Sequence, residues 1–384
     1  MTPQDRSRPL QEKKPRLCAK KQQGVTSKAS LNHTLDSRNT YERHDPSNML
    51  GRIASLPDQC WDAWEQACAF RLPPNYAGAE RVVFLGVGGS AIGGDLVVGL
   101  SQHNDRLPVT VLRDFRLPSW VGPSALVVAS SYSGNTEETL ELYRQARERG
   151  ACLAVVTGGG RLLAAAQADG APAFHIQYRG EARSAMGYSF MAPLALLCRL
   201  GLLPYTRDDV AGAVKLLQSL SEGLSPDVPA AQNLAKSIAL AIGDGLPVVY
   251  GAGFLTGAAR RWKTQLNENS KSWAFYEELP ELAHNSVEGF ALPAATRDSV
   301  YVVLLHSHLL NPRISARYEG VEEILAQQGV AHRQIDAVGG SELAHLLSSV
   351  MLGDYVSYYL AMLHGVNPAS QDMIDHLKKR LAQE

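Results

Sequence analysis

Ala125-Leu126-Val127-Val128-Ala129-Ser130 runs directly into Ser131-Tyr132-Ser133-Gly134-Asn135-Thr136-Glu137-Glu138-Thr139, and this junction decides the fold. The first six residues are short, apolar and partly β-branched, the pattern of a buried strand. Leu140, Leu142 and Tyr143 then begin an amphipathic helix that continues to about Arg149. Hydroxyls, an amide and a glycine therefore occupy a strand-to-helix turn. The N–H groups of a helix N-terminus lack intrahelical partners, carry partial positive charge and suit an anion. Serine and threonine add neutral donors, and Gly134 lets the backbone approach a ligand closely. No lysine lies in the segment, so it reads as a cradle for a small phosphate ester more than a triphosphate clamp. An ordinary capped helix, with Ser133 or Thr136 as the cap, is the simpler alternative.

Outward from this junction the chain alternates. Strands are predicted over Arg81–Gly86, Val109–Arg113, Ala125–Ser130, Ala151–Thr157 and Ala173–Ile176. Helices over Ala91–Ser101, Thr136–Arg149 and Gly160–Ala168 separate them. That order implies a parallel sheet covered on both faces. An apolar helix follows over Gly187–Leu203, another helix starts over Asp208–Leu220, and Ser221–Ala230 reads as a linker. Pro247-Val248-Val249-Tyr250-Gly251-Ala252-Gly253 then resembles Val82-Val83-Phe84-Leu85-Gly86-Val87-Gly88, as in a duplicated domain. Further strands are expected at Trp273–Glu277, Ser299–His306 and Ala331–Asp336, and final helices at Glu342–Leu363 and Ser370–Ala382. No second serine-rich turn follows Val300–Leu305, so one phosphate loop per chain is expected. Ligands of open parallel sheets bind beyond the carboxyl ends of the strands. Gly86-Val87-Gly88-Gly89-Ser90-Ala91-Ile92-Gly93-Gly94-Asp95 therefore faces the same ligand as the serine-rich turn.

Composition bounds the rest. The chain has 384 residues, 45% hydrophobic content and a net charge of −1, which fits two globular domains and argues against a broad nucleic-acid surface. No apolar run is expected to reach the length that spans a bilayer. The five cysteines, Cys18, Cys60, Cys68, Cys152 and Cys198, show no CxxC pairing, which suits a reducing cytoplasm. Residues 1–44 carry ten Lys/Arg against four acids, with few apolar residues, and are expected to form a disordered basic tail. They show no apolar core of a signal peptide; a transit peptide, a nonfunctional extension and an upstream start codon all fit them. The folded part is expected from residue 45, with a first domain over 45–220 and a second over 231–384.

Other motifs are set aside on their residues. Gly86 and Gly88 are followed by Ala91 where a dinucleotide fingerprint takes its third glycine, and Arg113-Asp114 is a poor ribose anchor. Neither a GxxxxGK[ST] phosphate loop nor a GxSxG elbow occurs. His306 and His308 lack a third ligand at useful spacing and read as structural.

Together with the serine-rich turn, Gly86–Asp95 resembles the sugar isomerase (SIS) domain. Asn267-Glu268-Asn269-Ser270-Lys271, Glu278-Leu279-Pro280-Glu281-Leu282-Ala283-His284-Asn285 and Gly365-Val366-Asn367-Pro368, followed by Ile374 and Leu377-Lys378, narrow the resemblance to the bifunctional phosphoglucose/phosphomannose isomerase family. It covers roughly Asp45 to Leu381. The resemblance implies two SIS-type αβα domains of flavodoxin-like, doubly wound topology. It implies aldose–ketose isomerisation of a hexose 6-phosphate without metal or cofactor. Gly88, Gly89, Ser90, Ser131, Ser133 and Thr136 match the family's phosphate site. Glu268 matches the base that moves a proton between C1 and C2, Arg183 the guanidinium facing the enediolate, His284 the ring-opening histidine and Lys378 a lysine assisting ring opening. That histidine tends to come from the neighbouring subunit, so a homodimer is implied. Single-specificity phosphoglucose isomerases carry a glutamine seven residues before this lysine, a position held here by Gln371. Two rivals remain at this point: an amino-sugar phosphate isomerase or deaminase on the same fold, and a sugar-phosphate sensor without chemistry.

Overall fold

The computed structural model describes residues 34–102 and 107–381. It contains two parallel sheets. Strands β1 (Arg81–Leu85), β2 (Val109–Leu112), β3 (Ala125–Ser131), β4 (Cys152–Thr157) and β5 (Ala173–His175) line up as β2-β1-β3-β4-β5. Strands β6 (Leu246–Ala252), β7 (Phe275–Leu279), β8 (Val300–His306) and β9 (Ala331–Asp336) line up as β7-β6-β8-β9. Relabelled from its own first strand, the second sheet repeats the order of the first, less its last strand. This is the flavodoxin-like order, with a switch point beside the first strand of each sheet. Every residue of β3 is buried, as a central strand covered on both faces requires.

The expectation about apolar runs is corrected by the helix Glu342–Leu363. Its 22 residues are long and apolar enough to cross a membrane by length and composition. It is instead a core helix, 94% buried over its most apolar window. It packs against the helices Thr256–Glu268, Leu234–Ile242 and Arg207–Gly223. A helix surrounded by other helices has no polar face to keep, which removes the 3.6-residue alternation.

The expected disordered tail is corrected as well. Residues 1–33 lie outside the described part, but Arg38–His44 is a helix. Leu35 is fully buried, Tyr41 stacks on Tyr358 with ring centroids 6.2 Å apart, and Asp36 accepts from the buried Lys236 at 2.9 Å. These anchors are too few to show periodicity, yet Asp36 and Tyr41 have partners two hundred residues or more away. Two further helices, Leu234–Ile242 and Pro312–Gln327, have no counterpart in the sequence reading. Strand β7 lies two residues later than expected, and Trp273 before it is 75% exposed.

The two halves meet through equivalent helices. Gly89–Ser101 follows β1, Thr256–Glu268 follows β6, and the two pack together. Asp95 of the first pairs with Arg260 of the second at 3.2 Å and with Arg113 beyond β2. Arg260 Nε also donates to the Tyr276 hydroxyl on β7 at 2.7 Å. The duplication thus brings the turn after β1 beside the helix that ends at Glu268.

Candidate active site

The serine-rich turn closes on itself. Ser131 Oγ lies 2.9 Å from Thr136 Oγ1 and accepts from Gly134 N at 3.1 Å. Ser133 Oγ accepts from Asn135 N at 3.2 Å. Thr136 stands at the N-cap of Glu137–Glu148, but its side chain makes no capping bond. The simple-cap alternative therefore does not describe Thr136, whose hydroxyl belongs to the turn. Gly134 has φ +66°, and a Cβ there would come within 1.8 Å of Gly159 O. Gly134→Ala is expected to cost about 1–3 kcal/mol, since it combines a left-handed backbone with a main-chain overlap. Thermal melting of the variant checks this.

This turn is joined to the one after β1 by Tyr132 N, which donates to Ser90 Oγ at 3.0 Å. Gly88 has φ +57° and precedes the helix beginning at Gly89. Gly89 packs on the next piece of the site: a Cβ there would lie 3.1 Å from Arg183 N. The phosphate-loop candidates thus form a continuous series ending at Arg183.

Arg183 is only 2% exposed, in the short 3-10 turn Ala182–Ser184. Its Nε donates to Asn269 Oδ1 at 2.8 Å, its Nη2 to Pro368 O at 2.6 Å, and its Nη1 pairs with Glu268 Oε2 at 3.3 Å. Burial lowers its pKa, and the Glu268 carboxylate opposes that shift. Glu268 is the last residue of Thr256–Glu268 and its side chain is 23% exposed. A buried cation thus stands behind a carboxylate that solvent or a ligand reaches. Such a pair can accept a proton on carbon chemistry while charge develops beside a fixed guanidinium.

A second layer holds Arg183. Arg261 Nη2 donates to Arg183 O at 3.1 Å and to Asp354 Oδ2 at 2.7 Å, with both Arg261 and Asp354 buried. Burial raises the Asp354 pKa against the pull of Arg261. Gln59 Nε2 donates to Ser184 O at 2.9 Å, and Glu181 pairs with Arg52. None of these residues was singled out from sequence. Arg261 alone carried a signal, since it lies seven residues before Glu268 and shares its helix face.

The remaining candidates stand apart from the pair. His284 ends the short turn Glu281–His284 after β7, is exposed, and has no hydrogen-bond or ionic partner among the described residues. Lys378 is exposed on the helix Asp372–Leu381, which buries none of its residues. Gln371 is half-buried just before that helix, its carbonyl accepting from Asp375 N at 2.9 Å. The strand-end histidines have separate partners. His306 contacts Asp336 at 2.7 Å and Ser315 at 3.1 Å, and the His308 ring lies against His345.

Residues 231–381 match the family model described as the bacterial phospho-glucose isomerase C-terminal SIS domain. The chain is 38% identical over 336 residues to the bifunctional phosphoglucose/phosphomannose isomerase of Caldicellulosiruptor bescii, covering 87% of this chain and 99% of that one. The chain belongs to the bifunctional phosphoglucose/phosphomannose isomerase family. The Aquifex aeolicus member is 33% identical over 303 residues, covering 79% of this chain and 90% of its own length. The crystal structure of tagatose-6-phosphate ketose/aldose isomerase from Escherichia coli superposes with a TM-score of 0.64 at 17% identity, covering 84% of this chain and 95% of that one. That last likeness speaks for the fold alone. Membership of the family makes the chain a SIS-fold isomerase, and the contiguous turns and the Arg183–Glu268 pair are the parts of it to which chemistry can be assigned.

Proposed function

We propose that the chain interconverts glucose 6-phosphate and mannose 6-phosphate with fructose 6-phosphate through a cis-enediolate. The observation that carries this reading is the 3.3 Å pair of a buried Arg183 and a partly open Glu268, reached from the serine-rich turn by unbroken packing. In the proposal, Gly88, Gly89, Ser90, Ser131, Ser133 and Thr136 hold the 6-phosphate, so binding energy at a non-reacting end orients C1 and C2. Glu268 removes the C2 proton and returns it at C1. Arg183 faces the oxygens where negative charge appears.

His284 moves a proton between the ring oxygen and the O1 hydroxyl, with Lys378 assisting. The histidine serves the other subunit of a homodimer, which fits its exposure and its lack of a side-chain partner among the described residues. Trp273, just before the edge strand β7, and Phe275, at its start, are exposed, in keeping with burial against a second copy. The reading assigns phosphate binding to 45–220, and Glu268 with His284 to 231–384. Four described cysteines are free thiols, which suits a reducing cytoplasm.

A coupled assay of the purified chain with each sugar phosphate separately tests the reading. Turnover of glucose 6-phosphate is expected, with mannose 6-phosphate slower because Gln371 occupies the specificity position. Absence of turnover with both would end the isomerase assignment of these substrates, and preferred turnover of glucosamine 6-phosphate would favour the amino-sugar rival. Tight binding of fructose 6-phosphate without turnover would favour a sensor.

A further inference from the structure

Lys271 lies three residues past Glu268, beyond the end of its helix, with φ +58°. In that left-handed region a glycine commonly ends a helix, and a side chain is disfavoured. The bend returns the chain, so that Ser272 N donates to Leu266 O at 3.2 Å, and it carries the lysine side chain back over the helix end. The ammonium donates to three main-chain carbonyls: Glu268 in its own turn, Pro368 at 3.4 Å and Ser370 at 2.9 Å. Three acceptors use the whole donor capacity of an ammonium. Pro368 O also receives Arg183 Nη2. One carbonyl thus joins Arg183, Lys271 and the segment leading through Gln371 into Asp372–Leu381. Because that helix buries none of its own residues, the polar ties at its root carry much of its attachment.

We propose that Lys271 is a positioning residue, a latch that ties the segment before the C-terminal helix to the end of the helix bearing Glu268 and so sets Gln371 and Lys378 relative to the Arg183–Glu268 pair. Its kinetic consequences rest on the isomerase reading. The charges that face the ammonium are Arg183 and Glu181 from the Ala182–Ser184 turn and its approach, Glu268 from its own helix, and Asp372 from the C-terminal helix. Burial first, and Arg183 second, push the Lys271 pKa from 10.5 down to about 8, against the pull of the three carboxylates. Below about pH 8 the ammonium has three N–H donors. Above it the neutral amine has two and turns a lone pair toward a carbonyl. The latch is therefore in place at neutral pH and weakens as pH rises through that value.

Lys271→Gly separates the amine from the backbone, since glycine adopts the same φ freely. The variant should melt no lower than wild type, while amide hydrogen exchange across residues 364–381 speeds up about tenfold. In the same variant kcat should fall about tenfold, with KM for fructose 6-phosphate changing by less than about threefold. Lys271→Arg keeps a charge that does not titrate, so the alkaline limb of its kcat profile should move up by at least about one pH unit. Wild-type exchange and wild-type kcat in Lys271→Gly would overturn the latch, as would an unmoved alkaline limb in Lys271→Arg. If wild type itself turned over no sugar phosphate, the isomerase reading would fall, and the exchange measurement would still decide the latch.

Discussion

Glu268→Gln is expected to lower kcat with fructose 6-phosphate by about 10²- to 10⁴-fold, the range for loss of a general base. Glutamine has the size of glutamate and keeps an oxygen that can accept from Arg183 Nη1, now 3.3 Å from the carboxylate. The site should therefore keep its shape and lose only the group that can carry a proton. KM should change little, because the proposed phosphate site lies at the other end of the substrate. Melting should drop by a few degrees at most: Arg183 keeps Asn269 and Pro368 as partners, and the Glu268 side chain is partly open to solvent. The decisive measurements are kcat and the exchange of solvent hydrogen into the sugar, both of which require the same proton transfer. A variant that keeps near-wild-type turnover and exchange would remove Glu268 from that role.

Arg183→Lys is expected to lower kcat by about 10²- to 10³-fold, even though the charge is kept. The guanidinium serves three partners at once in a planar fork: Asn269 through Nε, Glu268 through Nη1 and Pro368 through Nη2. An ammonium on a shorter, rotating stem cannot reproduce that fork. At least one acceptor would then be left buried without its partner, at a cost of about 1–3 kcal/mol. The substitution should lower both the melting temperature and kcat, whereas Glu268→Gln should affect mainly kcat. Comparing the two by thermal unfolding and steady-state kinetics separates placement from proton transfer. A lysine variant with wild-type kcat would show that charge alone is needed at this position and that the fork geometry is not.

The parts that were legible in the sequence share a physical cause. Strands β1 and β3 are buried on both faces, so they read as short continuous apolar runs whatever lies around them. The serine-rich turn was legible as a strand-to-helix junction because an apolar run ends there in hydroxyls and a glycine and an amphipathic run follows. Glu268 and Arg183 were singled out only through their motifs; an isolated glutamate at a helix end carries no signal of its own. The apolar helix Glu342–Leu363 was placed correctly along the chain, but the expectation that no apolar run could span a bilayer missed it, because spanning length and core burial leave the same composition. The segment 34–44 was misjudged because its few anchoring residues gain meaning from partners such as Lys236 and Tyr358.

Local patterning was thus enough to set the αβ alternation, the duplication and the position of the single serine-rich turn, since each depends on residues adjacent in the chain. The contact of Gly89 with Arg183, the fork of Arg183 on Glu268, Asn269 and Pro368, the buried support of Arg261 and Asp354, and the three carbonyls around Lys271 were settled by folding. Those contacts join residues up to 185 positions apart, as in the bond from Arg183 to Pro368. They exist because the two sheets bring their equivalent helices together, and that geometry leaves no periodic trace in any one segment.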